Sequence, residues 1–363
     1  MDAASFSADY TRARQRFLRA AETRGARLSS FPIDARGPAG EELALDVAVL
    51  GPRSARRLLV VTSGIHGVEG HAGSALQLQL LSAQLDGLDV PADMSLVLIH
   101  AINPYGFAHT RRVNENNVDL NRNFLRHPED HAANADYDRL YDAINPRQLD
   151  EETDLAGRAT MLAFAQEHGF AHLQHVLTCG QYRHPQGVQF GGRMEQPSNR
   201  LVRGILRENR GEAEAVAWLD VHTGLGAFAA CELVSQHTVD STAYVVGRRW
   251  FGEAVRTTLT GESASARLFG DMLDGAVAEL GEVSPLVPFA PEFGTYDGVR
   301  IFQAMRADNW LHQYGDLESE QGRAIKAELR EVFCPADVRW REAILARGAE
   351  VIGEAVAGLA AVP

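Results

Sequence analysis

The run Ser63-Gly64-Ile65-His66-Gly67-Val68-Glu69-Gly70 directly follows the apolar stretch Leu58-Leu59-Val60-Val61. An imidazole and a carboxylate three residues apart, at a strand-to-helix turn, can point at one atom. Zinc suits such a pair: it takes His nitrogens and a carboxylate and keeps a position open for water. A third ligand is offered by Trp218-Leu219-Asp220-Val221-His222-Thr223-Gly224, which reads as a buried strand ending in a polar, Gly-terminated turn. His222 lies where that strand emerges at its carboxyl edge, the edge at which open α/β sheets bind ligands. The chain has 13 His, so an H-x-x-E match is cheap by chance. The Gly-flanked position after an apolar strand, with His222 in the same setting, sets this one apart. His66, Glu69 and His222 are therefore candidate ligands of one zinc ion per chain.

A second constellation is Arg111-Arg112-Val113-Asn114-Glu115-Asn116-Asn117-Val118-Asp119-Leu120-Asn121-Arg122-Asn123-Phe124, after the strand-like Ser95–Ala101 and the turn Asn103-Pro104-Tyr105-Gly106. Asn121 beside Arg122 offers amide donors and a guanidinium fork, a geometry that grips a carboxylate bidentately. An Asn/Arg-rich segment is more commonly a solvated loop. The density of Asn over 114–123 suggests instead a loop tied down by its own side-chain bonds to backbone, and loops held on a rigid scaffold tend to carry function.

In order and spacing, H-x-x-E after a strand, then V-D-L-N-R-N-F, then D-x-H-T-G, then P-E-F-G-T resembles the zinc carboxypeptidase family. The nearest likeness is to a little-characterised bacterial branch related to aspartoacylase and succinylglutamate desuccinylase. These motifs span residues 58 to 295. The resemblance implies His66, Glu69 and His222 as zinc ligands and Asp119 as the carboxylate that orients the first ligand His. It implies Asn121 and Arg122 as the pair binding a terminal carboxylate. Arg112, or its neighbour Arg111, falls where the family places the arginine that polarises the scissile carbonyl. Glu292, in Pro291-Glu292-Phe293-Gly294-Thr295, matches the catalytic glutamate. The implied fold is α/β, a mixed twisted sheet flanked by helices on both faces, of the phosphorylase/hydrolase-like kind.

The chemistry follows from the residue types as well. An open zinc position lowers the pKa of bound water from about 16 to about 7. A carboxylate beside that water, Glu292, takes its proton and later delivers it to a leaving amine. The developing oxyanion needs positive charge, which zinc and Arg112 can share; losing one such stabiliser typically costs about 3 kcal/mol of barrier. Taken alone, Glu292 reads as an exposed loop carboxylate, but the apolar run Pro285–Pro291 suggests a strand that delivers it to the sheet edge. The expected activity is hydrolysis of an amide next to a free carboxylate, as in a metalloprotease of carboxypeptidase type. A zinc amidase or deacylase of small N-acyl amino acids is an alternative, and a catalytically inactive zinc-binding scaffold is a third.

The frame is that of one domain over 1–363 with a helical and Gly-rich insertion at about 126–215; no low-complexity linker divides the chain. A hydrophobic content of 45% is ample for a core. A lead helix is expected from Phe6, Tyr10, Ala13, Phe17 and Ala20, then strands at Leu43–Val49 and Leu58–Val61 and a helix over Glu69–Leu85. Residues 134–172 read as helical with a break at Pro146, and Val338–Leu359 as a long amphipathic helix. The net charge of −13 argues against nucleic acid and against membrane-surface attraction. No apolar run approaches the roughly 20 residues that span a bilayer. The scattered Cys179, Cys231 and Cys334 form no disulfide pattern, and the start lacks a secretory signal, so a cytoplasmic location is expected.

Three further features of the sequence bear on its chemistry. Gly180–Arg193 is a Gly-rich polar loop that either lines a substrate pocket, with Tyr182 and Arg193 as contacts, or is a compact surface loop. His168, His172 and His175 sit at helical spacing without a carboxylate or Cys partner, which suits surface or core histidines better than a metal. No G-x-S-x-G elbow is present, which removes a serine hydrolase.

Overall fold

The computed structural model describes residues 3–125 and 134–363. Eight strands form a single sheet: β1 (Arg27–Arg36), β2 (Glu42–Leu50), β3 (Arg57–Ser63), β4 (Met94–His100), β5 (Ala215–Gly224), β6 (Cys231–Ser235), β7 (Val255–Thr257) and β8 (Leu286–Gly294), in the order β1-β2-β4-β3-β5-β8-β6-β7. The four central strands β4, β3, β5 and β8 run parallel, whereas β1 and β2 join on one side and β6 on the other in antiparallel fashion. This is the mixed α/β sheet expected from the motifs.

The central strands are buried on both faces and read as near-continuous apolar runs, as parallel strands covered by helices must. Alternation along them divides the core in two. Leu59, Val61, Leu96, Leu98, Leu219 and Val221 face one layer, packed under the helices Tyr10–Thr23, Gly70–Gln79 and Val338–Ala360. Leu58, Val60, Val97, Ile99, Val216 and Trp218 face the other, where Val202, Ile205 and Leu206 of the helix Pro197–Arg210 meet them. The closing helix matches its expected span closely, and its Trp340 is fully buried with its indole N–H donated to the Gly294 carbonyl at 2.8 Å.

Three elements differ from expectation. The edge strand β1 has no periodic signal because most of it is exposed and it carries Pro32, which edge strands tolerate. The helix expected over Glu69–Leu85 is regular only over Gly70–Gln79, then widens into a π-turn at Leu80–Gln84. The helical stretch after 134 is three helices, Ala135–Ile144, Glu151–His168 and Phe170–Thr178, sharing a small core of Tyr137, Leu140, Ile144, Phe164, Val176 and Val188. The start of the expected insertion, 126–133, lies outside the described residues.

Candidate metal centre

The parallel order β3-β5-β8 brings three strand ends together. After Ser63 the chain turns through Gly64, whose φ of +67° is left-handed and where a Cβ would meet that of Ala101 at 3.0 Å. His66 is extended, and a single 3-10 turn, Gly67–Glu69, leads into the helix Gly70–Gln79. The N–H groups of Gly67 and Val68 donate to the carbonyls of Arg112 and Arg111 at 3.1 and 2.8 Å. The Arg-bearing loop therefore caps the turn that carries His66 and Glu69. Along β5, Asp220 and His222 lie two residues apart and so share a face. In the adjacent strand Glu292 is the register partner of His222.

His66, Glu69 and His222 are all buried, and one ligand atom from each lies within 4.8 Å of the others. Both imidazoles turn Nδ1 inward: His66 Nδ1 is 2.9 Å and His222 Nδ1 3.0 Å from the Glu69 carboxylate. Both present Nε2 to a buried aspartate, His66 to Asp119 at 3.1 Å and His222 to Asp220 at 2.7 Å. A carboxylate behind Nε2 holds the proton there and frees the Nδ1 lone pair, the arrangement that metal-binding histidines require. Despite its short distance to Glu69, His66 Nδ1 lies outside hydrogen-bonding geometry and has no partner. A buried imidazole nitrogen left without a hydrogen bond, facing a carboxylate and a second imidazole, fits a divalent cation.

The electrostatics agree. Burial opposes ionisation of Glu69, but His66 and His222 outweigh it and hold the carboxyl far below its usual range. Asp119, also desolvated, is likewise held low by His66, Arg122 and Arg112. His222 moves the other way: burial disfavours its charge, yet Asp220 and Glu69 raise its proton affinity well above the ordinary value. The centre favours positive charge.

The remaining residues take distinct places. Arg112, not Arg111, reaches the centre, donating from Nη1 to Glu69 at 2.9 Å and from Nε to Asp119 at 3.2 Å. Arg111 points away, into a buried pair with Asp308 at 3.1 Å and a bond to Asn117 at 3.0 Å. Glu292 lines the same cavity as the three ligands, and its Oε1 accepts the Leu225 N–H at 3.1 Å. Burial, and next to it the Glu69 charge, push its carboxyl up to about 8 against the pull of His222 and Arg112. Asn121 and Arg122 also line the cavity. The Asn121 side-chain Oδ1 accepts the Met272 N–H, while Arg122 donates from Nε and Nη2 to the Thr178 carbonyl and from Nη1 to the backbone carbonyl of Asn121. One N–H on each terminal nitrogen of Arg122 is left over from these bonds.

The Asn-rich loop is tied down as expected, with Asn114 accepting from Asn116 N and Val118 N, and Asn117 and Asn123 donating to carbonyls across the Gly-rich loop. That second loop supplies Gln189 to the cavity wall. Tyr182 instead packs beneath, its hydroxyl bonded to the Arg122 carbonyl at 2.7 Å, and Arg193 is exposed and bonds Arg183. His172 pairs with Asp136, and among the described residues only His66, Glu69 and His222 cluster as metal ligands. Asp220 carries no expectation from the sequence, although a D-x-H spacing on a strand places both side chains on one face. Behind it, Thr62 Oγ1 donates to Asp220 at 2.6 Å and Trp218 Nε1 to Thr62 at 3.1 Å.

Comparison with solved structures places this architecture among metallocarboxypeptidase-like folds. Bovine thrombin-activatable fibrinolysis inhibitor, solved with a tick carboxypeptidase inhibitor, aligns over 98% of this chain and 97% of its own, with a TM-score of 0.51 at 12% identity. Carboxypeptidase A from Helicoverpa armigera aligns over 89% of this chain and 73% of its own (TM-score 0.48, 14% identity). Succinylglutamate desuccinylase from Chromobacterium violaceum aligns over 89% and 74% (TM-score 0.38, 13% identity). No curated protein matches the chain in sequence. The chain belongs to the family described as "Protein of unknown function (DUF2817)", whose profile matches residues 6–347. The fold is thus of the metallocarboxypeptidase kind, and its His66/Glu69/His222 cluster could hold a metal ion.

Proposed function

We propose that this protein is a zinc-dependent hydrolase that cleaves an amide bond next to a free carboxylate. The observation that carries the reading is the convergence of His66 Nδ1, Glu69 and His222 Nδ1, each imidazole backed by a buried aspartate, with Glu292 beside them. A zinc ion held by these three residues would lower the pKa of a bound water to about 7.

The chain's own groups supply the rest. Glu292, which lines the same cavity, would take the proton of the attacking water and hand it to the leaving nitrogen. Arg112 holds a guanidinium at the mouth of the centre, where negative charge develops on the carbonyl oxygen. Arg122, with its uncommitted N–H groups, and Asn121 line the cavity and would seat the substrate carboxylate. Asp119 and Asp220 fix the two imidazoles.

Metal content of protein purified without chelator tests the centre: about one zinc per chain is expected for the wild type and none for His222→Ala. Glu292→Gln should keep its zinc and lose turnover. A metal-free wild type that stays so after zinc is supplied would promote the scaffold reading, and wild-type activity in Glu292→Gln would remove the proposed base. Peptides with a free C-terminus and small N-acyl amino acids, assayed in parallel, separate the peptidase from the deacylase form of the proposal.

A further inference from the structure

The segment 110–112 does more than deliver Arg112 to the centre. The backbone carbonyls of Arg111 and Arg112 take the N–H groups of Val68 and Gly67, so the segment also sets the turn from which His66 and Glu69 project. Thr110 has a φ of +49°, in the left-handed region that a β-branched residue rarely enters. Such a conformation persists only where the surroundings hold it.

The support is a buried group of charges. Asp308, 4% exposed, lies in the helix Gly298–Tyr314. Its Oδ2 accepts Arg111 Nε at 3.1 Å, and its Oδ1 accepts the ammonium of Lys326, from the helix Glu320–Phe333. Burial opposes ionisation of Asp308, but Lys326 and Arg111 outweigh it and keep the carboxyl below its usual range. The same ammonium donates to the Thr110 carbonyl at 3.2 Å and to His312 Nε2 at 2.7 Å. With Asp308 these bonds use every N–H that a lysine has. Two consecutive residues of the segment are thus gripped from two helices, Thr110 by its backbone and Arg111 by its side chain. The second helix ends in Phe333, whose ring centre lies 5.9 Å from the Arg112 guanidinium carbon. Neither Asp308 nor Lys326 lines the cavity of the metal centre. Buried ion pairs contribute little net stability, because desolvation offsets their attraction. What this group fixes is geometry.

We propose that Asp308 and Lys326 are positioning residues of the metal centre. By holding 110–112 they set the turn that carries His66 and Glu69 and aim the Arg112 guanidinium. The effect on turnover rests on the hydrolase reading above, whereas the effect on metal affinity rests on the ligand set alone.

The test compares Asp308→Asn and Lys326→Met with Arg14→Met. The control breaks a buried ion pair of like exposure, Arg14 with Asp46 (19% and 0%, against 20% and 5% for Lys326 with Asp308), between the lead helix and β2 and outside the cavity lining. Each protein is measured for urea midpoint, for zinc affinity by competitive chelator titration, and for kcat and KM at saturating zinc. A purely structural lesion lowers the midpoint alone, and Arg14→Met should do only that. Asp308→Asn and Lys326→Met should also lose about tenfold or more in zinc affinity. Their kcat should fall by about tenfold or more with KM within about twofold of the wild type, as when a group acting in the transition state is misaligned. Should Asp308→Asn not fold, Lys326→Met, which leaves Asp308 paired with Arg111, carries the test. Wild-type zinc affinity and kcat in the folded variants, or equal losses in Arg14→Met, would overturn the proposal. A wild type that binds zinc but turns over no amide ends the hydrolase reading alone, and zinc affinity then decides the role of Asp308 and Lys326. A wild type that binds no zinc overturns both.

Discussion

At the scale of single residues, the centre is organised by carboxylates that never touch its middle. Asp119 and Asp220 each hold an imidazole by Nε2, and Asp220 is itself held by Thr62, which Trp218 holds in turn. Replacing such a partner loosens the ring and lowers its basicity, which typically weakens metal affinity by about 10–100-fold. Asp220→Asn should therefore show that loss in a competitive chelator titration while its zinc stoichiometry at saturation stays that of the wild type. An affinity equal to wild type would show that Asp220 only packs. Of these residues, Asp119 was legible through its motif. The role of Asp220 was open to a strand-periodicity argument, yet nothing local says that the D of D-x-H meets the far nitrogen of the same ring system.

At the scale of elements, the turn Gly67–Glu69 is clamped between the strand end and the loop that carries Arg112. Gly67 has no room for a side chain, since a Cβ there would overlap the Gly106 backbone and the Phe107 nitrogen. Backbone cannot swing aside as a side chain can, so Gly67→Ala should be destabilising by about 1–3 kcal/mol and should also weaken zinc binding, because the same turn carries His66 and Glu69. Gly87 is the control: a Cβ there meets nothing within 4 Å, and its φ is not left-handed. Gly87→Ala should be neutral or slightly stabilising. Chemical denaturation midpoints of the two variants compare them directly, and equal midpoints would show that the turn can yield. The sequence offers Gly on both sides of His66, but not which of them another backbone approaches.

At the scale of the whole molecule, stability should fall with acidification because of histidines that the fold keeps neutral. His100 is fully buried in the sheet, with Nε2 2.8 Å from Ser74 Oγ, and burial lowers its pKa from 6.5 to about 4. Burial also lowers His312, to about 3, with Arg111 adding to the effect. In the unfolded chain both take up a proton near pH 6.5. Below that pH the unfolded state gains protons that the folded state refuses, so the stabilisation is full above 6.5 and is lost as pH falls toward 4. For His100 this amounts to about 3 kcal/mol. Urea unfolding between pH 7.5 and 4.5 should show a shallower decline for His100→Gln than for the wild type; parallel curves would count against it.

What the amino-acid order determined by itself was a set of local facts: apolar runs that must be buried strands, the Gly and polar turns at their ends, and the residue types waiting there. From those came the α/β class, the candidate ligands His66, Glu69 and His222, and the strand that carries Glu292, whose role as candidate base came from the family resemblance. Such features are written within a few residues of one another, so periodicity and composition suffice to read them. The tertiary structure decided what depends on which strand lies beside which. The order β3-β5-β8 sets Glu292 opposite His222 across 70 residues of chain. It also chose Arg112 over Arg111 for the centre and set Asp308, a residue with no motif around it, against Arg111. Neighbour relations of this kind arise from packing a whole sheet between two helical layers, and no short window of sequence contains them.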